Sequence, residues 1–252
     1  MKTLLFIWSL VIGHCLAGPF FFGQQAALSA TPAAFSPADI SNLSMWLVAG
    51  DISGNDGDAV QTWPARSPTS ISPTQSTVAS RPTLQTLEIN GKHAVLSDGV
   101  DDFMTFTPIS SSGSWTIITV QKRTSSGSLG GVVGNTNASL TKPPYSALEY
   151  GALSRVYIGS RTDQKYATIP SHAWHVITSQ DASGTLGLWV DGSAQSLTAA
   201  ADSGAFDFSV LFGRGNERWA VYVAEVLVYT KTLNAIERGQ VEAYLKSRYA
   251  TP

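Results

Sequence analysis

Short apolar runs, separated by clusters of small and polar residues, make up most of the chain after residue 40. In the segment TLGLWVDG, Leu186, Leu188 and Val190 recur at every second position, which puts them on one face of a strand. Asp191-Gly192 follows directly, and this dipeptide favours the tight turn of a β-hairpin. Similar runs are LSMWLVAGD, WTIITVQKR, WHVITSQD and YVAEVLVYT. The pattern predicts an antiparallel all-β protein, a sandwich or a barrel.

One segment has a different period. The stretch TLNAIERGQVEAYLKSRY places Val241, Tyr244 and Leu245 at helical spacing. Asn234 precedes the run and Glu237 follows it three residues later, which is typical of a capping box at a helix N-terminus. We therefore predict a single C-terminal helix that packs on the edge or the back of the sheet.

The N-terminus has the features of an export signal. Residues 1–17 contain Lys2, an apolar run over residues 4–12, and the small residues Cys15 and Ala17 placed for cleavage after residue 17. The run is shorter than the roughly 20 apolar residues that a membrane-spanning helix needs. We predict that this apolar leader is a secretory signal and that the mature domain has no membrane span.

Residues 18–38 are rich in Ala, Pro and Ser and show no sustained period, as expected for a linker or an arm. Residues 20–22 are three consecutive phenylalanines, which could dock on a partner. The alternative to a cleaved signal is therefore a retained docking arm. One folded domain is predicted over residues 39–252.

Composition narrows the range of functions. The chain has 252 residues, a length that a single all-β domain reaches. Its 16 Lys and Arg against 18 Asp and Glu give a net charge of −2, so no overall field attracts nucleic acid. Cys15 is the only cysteine, which excludes an internal disulfide and a thiolate zinc site in the folded part.

Six segments in order resemble the laminin-G-like (concanavalin A-like lectin/glucanase) jelly rolls of bacterial and phage surface proteins. They lie within residues 39–250 and read LSMWLVAGDI, DGDAVQTWPARS, SRPTLQT, INGKHAVLSDGVDDFM, WHVITSQDASGTLGLWVDG and VAEVLVYTKTLNAIERGQVEAYLKSRY. The resemblance implies an all-β antiparallel sandwich, a jelly roll, with loops at one rim available for a ligand. The fold hosts several activities, so it does not define the function.

The sequence departs from this family at three places. The relatives commonly have an aspartate where this chain has Val48, and an aromatic residue where it has Leu96-Ser97. The segment SPTSISPTQ replaces their Gly-Asn-Gly loop. A metal site of the family type therefore loses at least one acidic candidate.

An acidic turn interrupts the strand pattern in VLSDGVDDFMTF. It contains Asp98, Asp101 and Asp102, and in the relatives the corresponding turn often lies close to a metal. We predict a mainly structural role, in which Asp98 and Gly99 form the tight turn and Asp101 and Asp102 accept backbone N–H groups of the neighbouring loop. The alternative is a calcium site, because carboxylate oxygens are the ligands that calcium prefers.

The segment DISGNDGD offers Asp56 and Asp58 as further calcium ligands in that alternative. It is not an EF-hand loop, since that loop needs glycine at its sixth position and glutamate at its twelfth, where this chain has Asp56 and Thr62. No other cofactor is expected.

A second polar segment, FGRGNERW, is the candidate ligand site. Its candidate ligand-binding residues are Arg214, Asn216, Arg218 and Trp219. In this interpretation Trp219 provides an aromatic platform, and the guanidinium and amide groups donate hydrogen bonds to hydroxyls or carboxylates. The alternative is a hairpin whose tryptophan caps the core and whose arginines face solvent.

Other chemistry-bearing residues are expected to be structural. His175 begins a strand and has no acidic or nucleophilic neighbour in the sequence. Trp46, Trp63, Trp115 and Trp189 lie within strand-like runs and are predicted to be core residues.

The sequence favours a protein that is not an enzyme. None of its six glutamates lies in the Glu-x-Asp-x-x-Glu strand of the retaining glycosidases on this fold. A Gly-x-Ser-x-Gly elbow, a phosphate loop and a His-Glu-x-x-His helix are also absent from the sequence. We predict a non-catalytic binding module, secreted or at the cell surface, that recognises a glycan or a protein ligand at the rim. The alternative is a phage virion protein, a capsid decoration or a tail-fibre head, that assembles through its N-terminal arm.

Overall fold

The computed structural model describes residues 34–111, 113–124, 132–135, 155–158, 165–168, 173–197, 206–214 and 217–252. The chain divides into two compact units, Met1–Ala34 and Phe35–Pro252. The predicted leader and most of the predicted arm lie outside the described residues. No helix of the described part is long and apolar enough to cross a membrane.

The folded unit begins at Phe35, four residues before the predicted boundary. The Phe35 ring meets the Tyr244 ring edge-on, with 6.4 Å between centroids. The Tyr229 hydroxyl donates a hydrogen bond to the Pro37 carbonyl at 2.9 Å. These contacts tie residues 35–38 to the domain, although their Ala- and Pro-rich composition suggested a linker.

The described residues form fifteen strands and one α-helix. In chain order the elements are β1 (Leu43–Val48), β2 (Thr83–Ile89), β3 (Lys92–Asp98), β4 (Met104–Ser111), β5 (Ser114–Arg123), β6 (Val133–Gly134), β7 (Arg155–Ile158), β8 (Lys165–Thr168), β9 (His175–Ala182), β10 (Thr185–Val190), β11 (Ser193–Ala194), β12 (Phe206–Leu211), β13 (Gly213–Arg214), β14 (Glu217–Arg218), β15 (Ala220–Tyr229) and α1 (Ala235–Tyr249).

Most of these strands belong to two antiparallel sheets. The larger sheet has the order β11-β10-β9-β5-β15-β3-β2 within the described residues, and β1 also pairs with β15. Strand β15 pairs with β5 on one side, and on the other side with β3 near its start and with β1 near its end. The smaller sheet has the order β4-β12-β6. The predicted antiparallel sandwich is confirmed.

The core lies between the two sheets. Alternate residues of β15, such as Val221 and Val223, pack inward with Trp115 of β5, and they meet Phe208 of β12 and Met104 of β4. All five of these residues are buried. Because burial of apolar surface is the main favourable term in folding, this cluster is the principal source of the sandwich's stability.

A second apolar cluster lies on the outer face of the larger sheet. Val241 and Leu245 of α1 pack there against Ile118, Val120 and Leu227. The helix begins as predicted, because the Asn234 side chain accepts hydrogen bonds from the N–H groups of residues 236 and 237 and the Glu237 side chain returns one to Asn234. The predicted C-terminal helix is therefore confirmed, and it covers the back of the sheet.

The turn after β10 and three of the four strand tryptophans have the positions that the sequence predicts. Asp191 and Gly192 both have positive φ, 51° and 81°, and they join β10 to β11 in the predicted tight turn. Trp46, Trp63 and Trp115 are buried as predicted. The prediction for Trp189 is wrong: its ring lies half-buried at the outer face, and the Arg238 guanidinium lies 3.8 Å from its centroid.

Candidate functional site

The acidic turn between β3 and β4 is held mainly by its own carboxylates. Asp98 Oδ1 accepts hydrogen bonds from the N–H groups of Val100 and Asp101, at 2.8 and 3.4 Å. Gly99 has a φ of 78°, and a Cβ at this position would lie 2.7 Å from the Cβ of Ala220. Only glycine fits there, since both the positive φ and the close approach exclude a side chain.

Asp101 and Asp102 have different partners from those predicted. Asp102 Oδ2 accepts the Asp98 N–H at 3.0 Å, so this bond lies within the turn itself. Asp101 Oδ2 accepts a hydrogen bond at 3.2 Å from the hydroxyl of Ser80, which belongs to the neighbouring short 3-10 helix Val78–Ser80. The prediction that both accept N–H groups from the neighbouring loop is wrong, because the turn is tight enough to satisfy Asp102 internally.

Three carboxylates therefore meet at one point. Ligand oxygens of Asp98, Asp101 and Asp102 lie within 4.8 Å of one another. Asp102 is 6% exposed, and burial raises its pKa to about 6. The Asp98 N–H opposes this increase, and the charges of Asp98 and Asp101 add to it. Each of the three has one oxygen that accepts no hydrogen bond from the described residues.

Arg218 lies at the same rim of the sandwich. The register of β15 against β3 pairs Ala220 with Asp98, so the hairpin β13–β14 ends beside the acidic turn. The Arg218 guanidinium lies 4.3 Å from the centroid of the Phe103 ring. Burial lowers the pKa of Arg218, and the charge of Asp101 opposes this decrease. The two polar segments that the sequence presents separately thus form one surface, here called the acidic rim: Asp98, Asp101, Asp102, Phe103 and Arg218.

Trp219 is not the predicted aromatic platform. It is fully buried, and a Cβ added to Gly134 of β6 would lie 3.0 Å from its ring. The backbone N–H of Trp219 donates a hydrogen bond to the Phe212 carbonyl at 2.9 Å, which closes the small hairpin β13–β14. The alternative interpretation, a tryptophan that caps the core, describes its position. Arg214 pairs with Glu217 through the backbone of that hairpin, whereas the Arg214 side chain and the whole of Asn216 lie outside the described residues.

Asp56 and Asp58 do not join the acidic rim. Asp56 Oδ1 accepts the Thr86 N–H at 2.7 Å, and Asp58 Oδ2 accepts the Asn55 N–H at 2.7 Å. Thr86 is the middle residue of β2, and its neighbour Gln85 pairs with Ala94, four residues before Asp98 on β3. Four strand residues from Ala94 to Asp98 span about 13 Å. The acidic group of the described residues contains Asp98, Asp101 and Asp102 but neither Asp56 nor Asp58, so the structure does not support the alternative in which these two aspartates share a calcium ion with the acidic turn.

His175 has an acidic partner that its sequence neighbours do not include. Its Nδ1 lies 2.7 Å from Asp191 Oδ2, while Asp191 Oδ1 accepts the Val176 N–H at 2.8 Å. The β9–β10 register pairs Val190 with Ile177 and so brings the Asp191 turn to the start of β9. His175 is buried, and this pair fixes its ring. The predicted turn at Asp191-Gly192 joins β10 to β11, whereas this contact depends on the pairing of β10 with β9.

A buried carboxylate on β15 was also missed. Glu225 is fully buried and accepts hydrogen bonds from Trp46 Nε1 at 2.8 Å and from the Tyr249 hydroxyl at 2.7 Å. Arg248 Nε lies 3.2 Å from the same carboxylate. Burial raises the pKa of Glu225, and these partners oppose the increase. The sequence indicates this buried carboxylate by placing a glutamate within the apolar run VAEVLVY.

The fold and the rim place the chain among antiparallel β-sandwich proteins. No family model matches the sequence, and no curated protein matches it. Three solved structures that share the fold differ widely in what they do, and at 12% identity the likeness extends to the fold alone.

One is domain 4 of AbnA, an extracellular GH43 arabinanase of Geobacillus stearothermophilus, solved in complex with arabinotriose. The TM-score is 0.55, with 12% identity over 78% of this chain and 96% of that one. Another is the binding domain of Paraclostridial Mosquitocidal Protein 1, with a TM-score of 0.55 and 12% identity over 84% of this chain and 53% of that one.

The third is the sialidase of Trypanosoma rangeli in complex with 2,3-difluorosialic acid. Its TM-score is 0.50, with 12% identity over 83% of this chain. The present chain spans only 33% of that sialidase.

Proposed function

We propose that the protein is a non-catalytic glycan-binding module of the laminin-G-like type, which binds its ligand at the acidic rim. The observation that carries this proposal is the convergence of three carboxylates within 4.8 Å beside a guanidinium that stacks on an aromatic ring. These groups come from two segments more than a hundred residues apart, and the pairing of β3 with β15 brings them together.

The chemistry of the rim suits hydroxyl groups. Asp98 and Asp101 are exposed, and each has one carboxylate oxygen not used by the described residues; such oxygens accept hydrogen bonds from sugar hydroxyls. Arg218 supplies fixed N–H donors. Val100, which is 78% exposed, and the edge of Phe103 add apolar surface for the C–H face of a sugar ring.

The geometry also supports binding without hydrolysis. A glycosidase needs a carboxylic acid that can reach the leaving oxygen and a second carboxylate opposite to it. Asp102 has the raised pKa of an acid, but it is 6% exposed and bonds to the Asp98 N–H inside the turn. It is therefore placed to stabilise the turn and not to protonate a ligand.

Structural neighbours add limited support. Domain 4 of AbnA was solved with arabinotriose, and this chain matches nearly its whole length. Because identity is 12%, the similarity indicates a scaffold able to carry a glycan site and not the identity of the glycan.

A glycan array with the purified full chain tests the proposal. We expect a defined set of glycans to bind the wild type and to be lost in Asp101→Asn. This variant removes one charge but keeps an oxygen that can accept the Ser80 hydroxyl. The matched control is Asp207→Asn on β12, whose carboxylate accepts the Ser110 hydroxyl away from the rim. An array that stays blank for the folded wild type, or binding that survives in Asp101→Asn, would refute glycan recognition at the rim.

A further inference from the structure

A cleft lies at the corner where the chain passes from the larger sheet to the smaller one. Residues 57–60 pair with the edge of β2, since Gly57 N–H donates to the Leu84 carbonyl and Leu84 N–H donates to the Asp58 carbonyl, both at 2.8 Å. The chain then turns toward the smaller sheet: Thr62 pairs with Thr74, and Thr74 pairs with Thr105 of β4.

The cleft at this corner has a volume of about 290 Å³. The apolar residues that line it are Ile52, which is partly exposed, and Val60 and Leu84, which are buried. The polar residues that line it are Ser53, Asp58, Gln61 and Thr62. The volume lies just below the usual range for small-molecule sites, about 300 to 1,000 Å³, and so suits a ligand of a single ring.

The polar groups of the wall are available to a ligand. Within the part of the chain that the structure describes, the side chains of Ser53, Gln61 and Thr62 make no hydrogen bond, and Asp58 uses only Oδ2, toward Asn55. The backbone holds Gln61 in place, because its carbonyl accepts the Gln75 N–H at 2.9 Å. A Cβ at Gly54 would lie 3.1 Å from Asp58 Oδ2 and 3.3 Å from Leu84 Cδ2, so glycine lets the loop close on the cleft wall.

We propose that this corner cleft binds one ring of a neutral sugar. An aliphatic floor suits the C–H face of the ring, while a carboxylate, an amide and two hydroxyls suit its hydroxyl groups. Among the described residues that line the cleft, Asp58 is the only charged one, so an anionic sugar meets repulsion without compensation. The cleft shares no residue with the acidic rim, so a test of sugar binding at the cleft is independent of the proposed function.

Chemical-shift mapping by NMR on the full chain tests this inference. The probes are D-glucose, D-galactose and N-acetyl-D-glucosamine, with D-glucuronate as the anionic comparison. We expect at least one neutral sugar to shift the amides of Ser53, Asp58, Gln61 and Thr62 with millimolar affinity, and glucuronate to bind more weakly. Gln61→Ala should weaken binding about threefold to tenfold, the usual effect of one lost hydrogen bond.

The matched control is Gln195→Ala. Gln195 bonds to the Ser193 carbonyl beside β11, at the opposite edge of the larger sheet from β2. This variant should bind as the wild type does. Ser53→Trp is a second variant, which should obstruct the cleft because Ser53 is exposed at its wall and the substitution leaves the core intact.

Three results would overturn the inference: none of the neutral sugars shifts these amides, glucuronate binds at least as well, or Gln61→Ala and Ser53→Trp both bind like the wild type. Arg218→Ala separates the two sites. If the rim has no ligand, shifts at the corner cleft still appear in the wild type and persist in Arg218→Ala. Shifts confined to the residues around Arg218 would instead support the rim and refute the cleft.

Discussion

Asp102 makes the stability of the acidic turn depend on pH. Its pKa in the folded protein is about 6, above the ordinary value of 3.8, chiefly because it is buried. Between these two pH values the folded state holds a proton that the unfolded chain has released. The free energy of unfolding therefore decreases as pH rises from about 4 to about 6.

Asp102→Asn should remove this dependence. The amide oxygen can still accept the Asp98 N–H, but the buried charge is gone. At pH 7 we expect a gain in the free energy of unfolding of about 1 to 2 kcal/mol, less than the full equivalent of the shift in pKa because solvent screens part of the charge. Urea unfolding at pH 4, 5, 6 and 7 measures it. Equal slopes with pH for the variant and the wild type would contradict this explanation of Asp102.

The same turn predicts little effect of calcium. Two of its carboxylates accept backbone N–H groups, and the third accepts the Ser80 hydroxyl. We therefore expect the melting temperature of the wild type to be unchanged by EDTA or by added calcium. A loss of several degrees in EDTA, together with an Asp101→Ala variant that is insensitive to it, would show that Asp98, Asp101 and Asp102 are calcium ligands.

Glu225 should be the costliest single side chain to remove from the outer cluster. Glu225→Ala leaves Trp46 Nε1 without its acceptor and leaves the Tyr249 hydroxyl with only the Ala224 carbonyl, at 3.4 Å, in a buried environment. Breaking a buried network of this kind costs about 3 to 5 kcal/mol of stability. The control is Glu88→Ala, which breaks the partly exposed pair with Lys122 and should cost at most about 1 kcal/mol. Similar losses in the two variants, measured by urea unfolding, would contradict a network role for Glu225.

One contact between α1 and the larger sheet, that of Arg238 with Trp189, depends on a glycine. A Cβ at Gly187 of β10 would lie 2.4 Å from the Trp189 ring, which in turn supports the Arg238 guanidinium of α1. Gly187→Ala must displace the ring, so we expect a loss of about 1 to 3 kcal/mol, the usual range for overpacking.

Gly239 in α1 provides the matched comparison. A Cβ there meets no atom within 4 Å. Gly239→Ala should stabilise the protein by about 0.5 to 1 kcal/mol, because alanine favours the helix. Thermal unfolding of the two variants should therefore move the melting temperature in opposite directions. A shift in the same direction for both would exclude the proposed contact between Trp189 and α1.

Local features of the elements were predictable from the sequence. The cap at Asn234 and the turn at Asp191-Gly192 depend on a few adjacent residues, and the structure has both. The partners of Asp102 and the burial of Trp219 were predicted incorrectly or left open. They depend on how tightly a turn closes and on which strand covers it, and the sequence pattern carries neither.

For the molecule as a whole, the fold could be predicted but the site could not. The order of the strand-like segments indicates a sandwich, because alternating apolar residues must face a common core. The acidic rim depends on the register of β3 against β15, which pairs Asp98 with Ala220 across more than a hundred residues. The separation of Asp56 from Asp98 likewise depends on which residue of β2 Asp56 contacts.

Export of the protein remains a prediction from the sequence of its N-terminus. If residues 1–17 are a secretory signal, intact-mass spectrometry of the protein from its native source should find Gly18 as the first residue. An intact Met1 would favour the alternative, a retained arm that docks the domain on a larger assembly such as a virion.

Glycan binding at the acidic rim is the central claim, and calorimetric titration of an array-selected glycan into three forms of the full chain tests it most directly. The forms are the wild type, Arg218→Ala, and Arg66→Ala as a control. Arg66 also stacks on an aromatic ring, at 5.2 Å from Trp46, and pairs with Asp51, but it lies away from the rim. Arg218→Ala should weaken binding at least about tenfold, since a charged hydrogen-bond donor is lost, whereas Arg66→Ala should keep the wild-type affinity. Equal affinity in all three forms, or an equal loss in the two variants, would contradict a glycan site at the acidic rim.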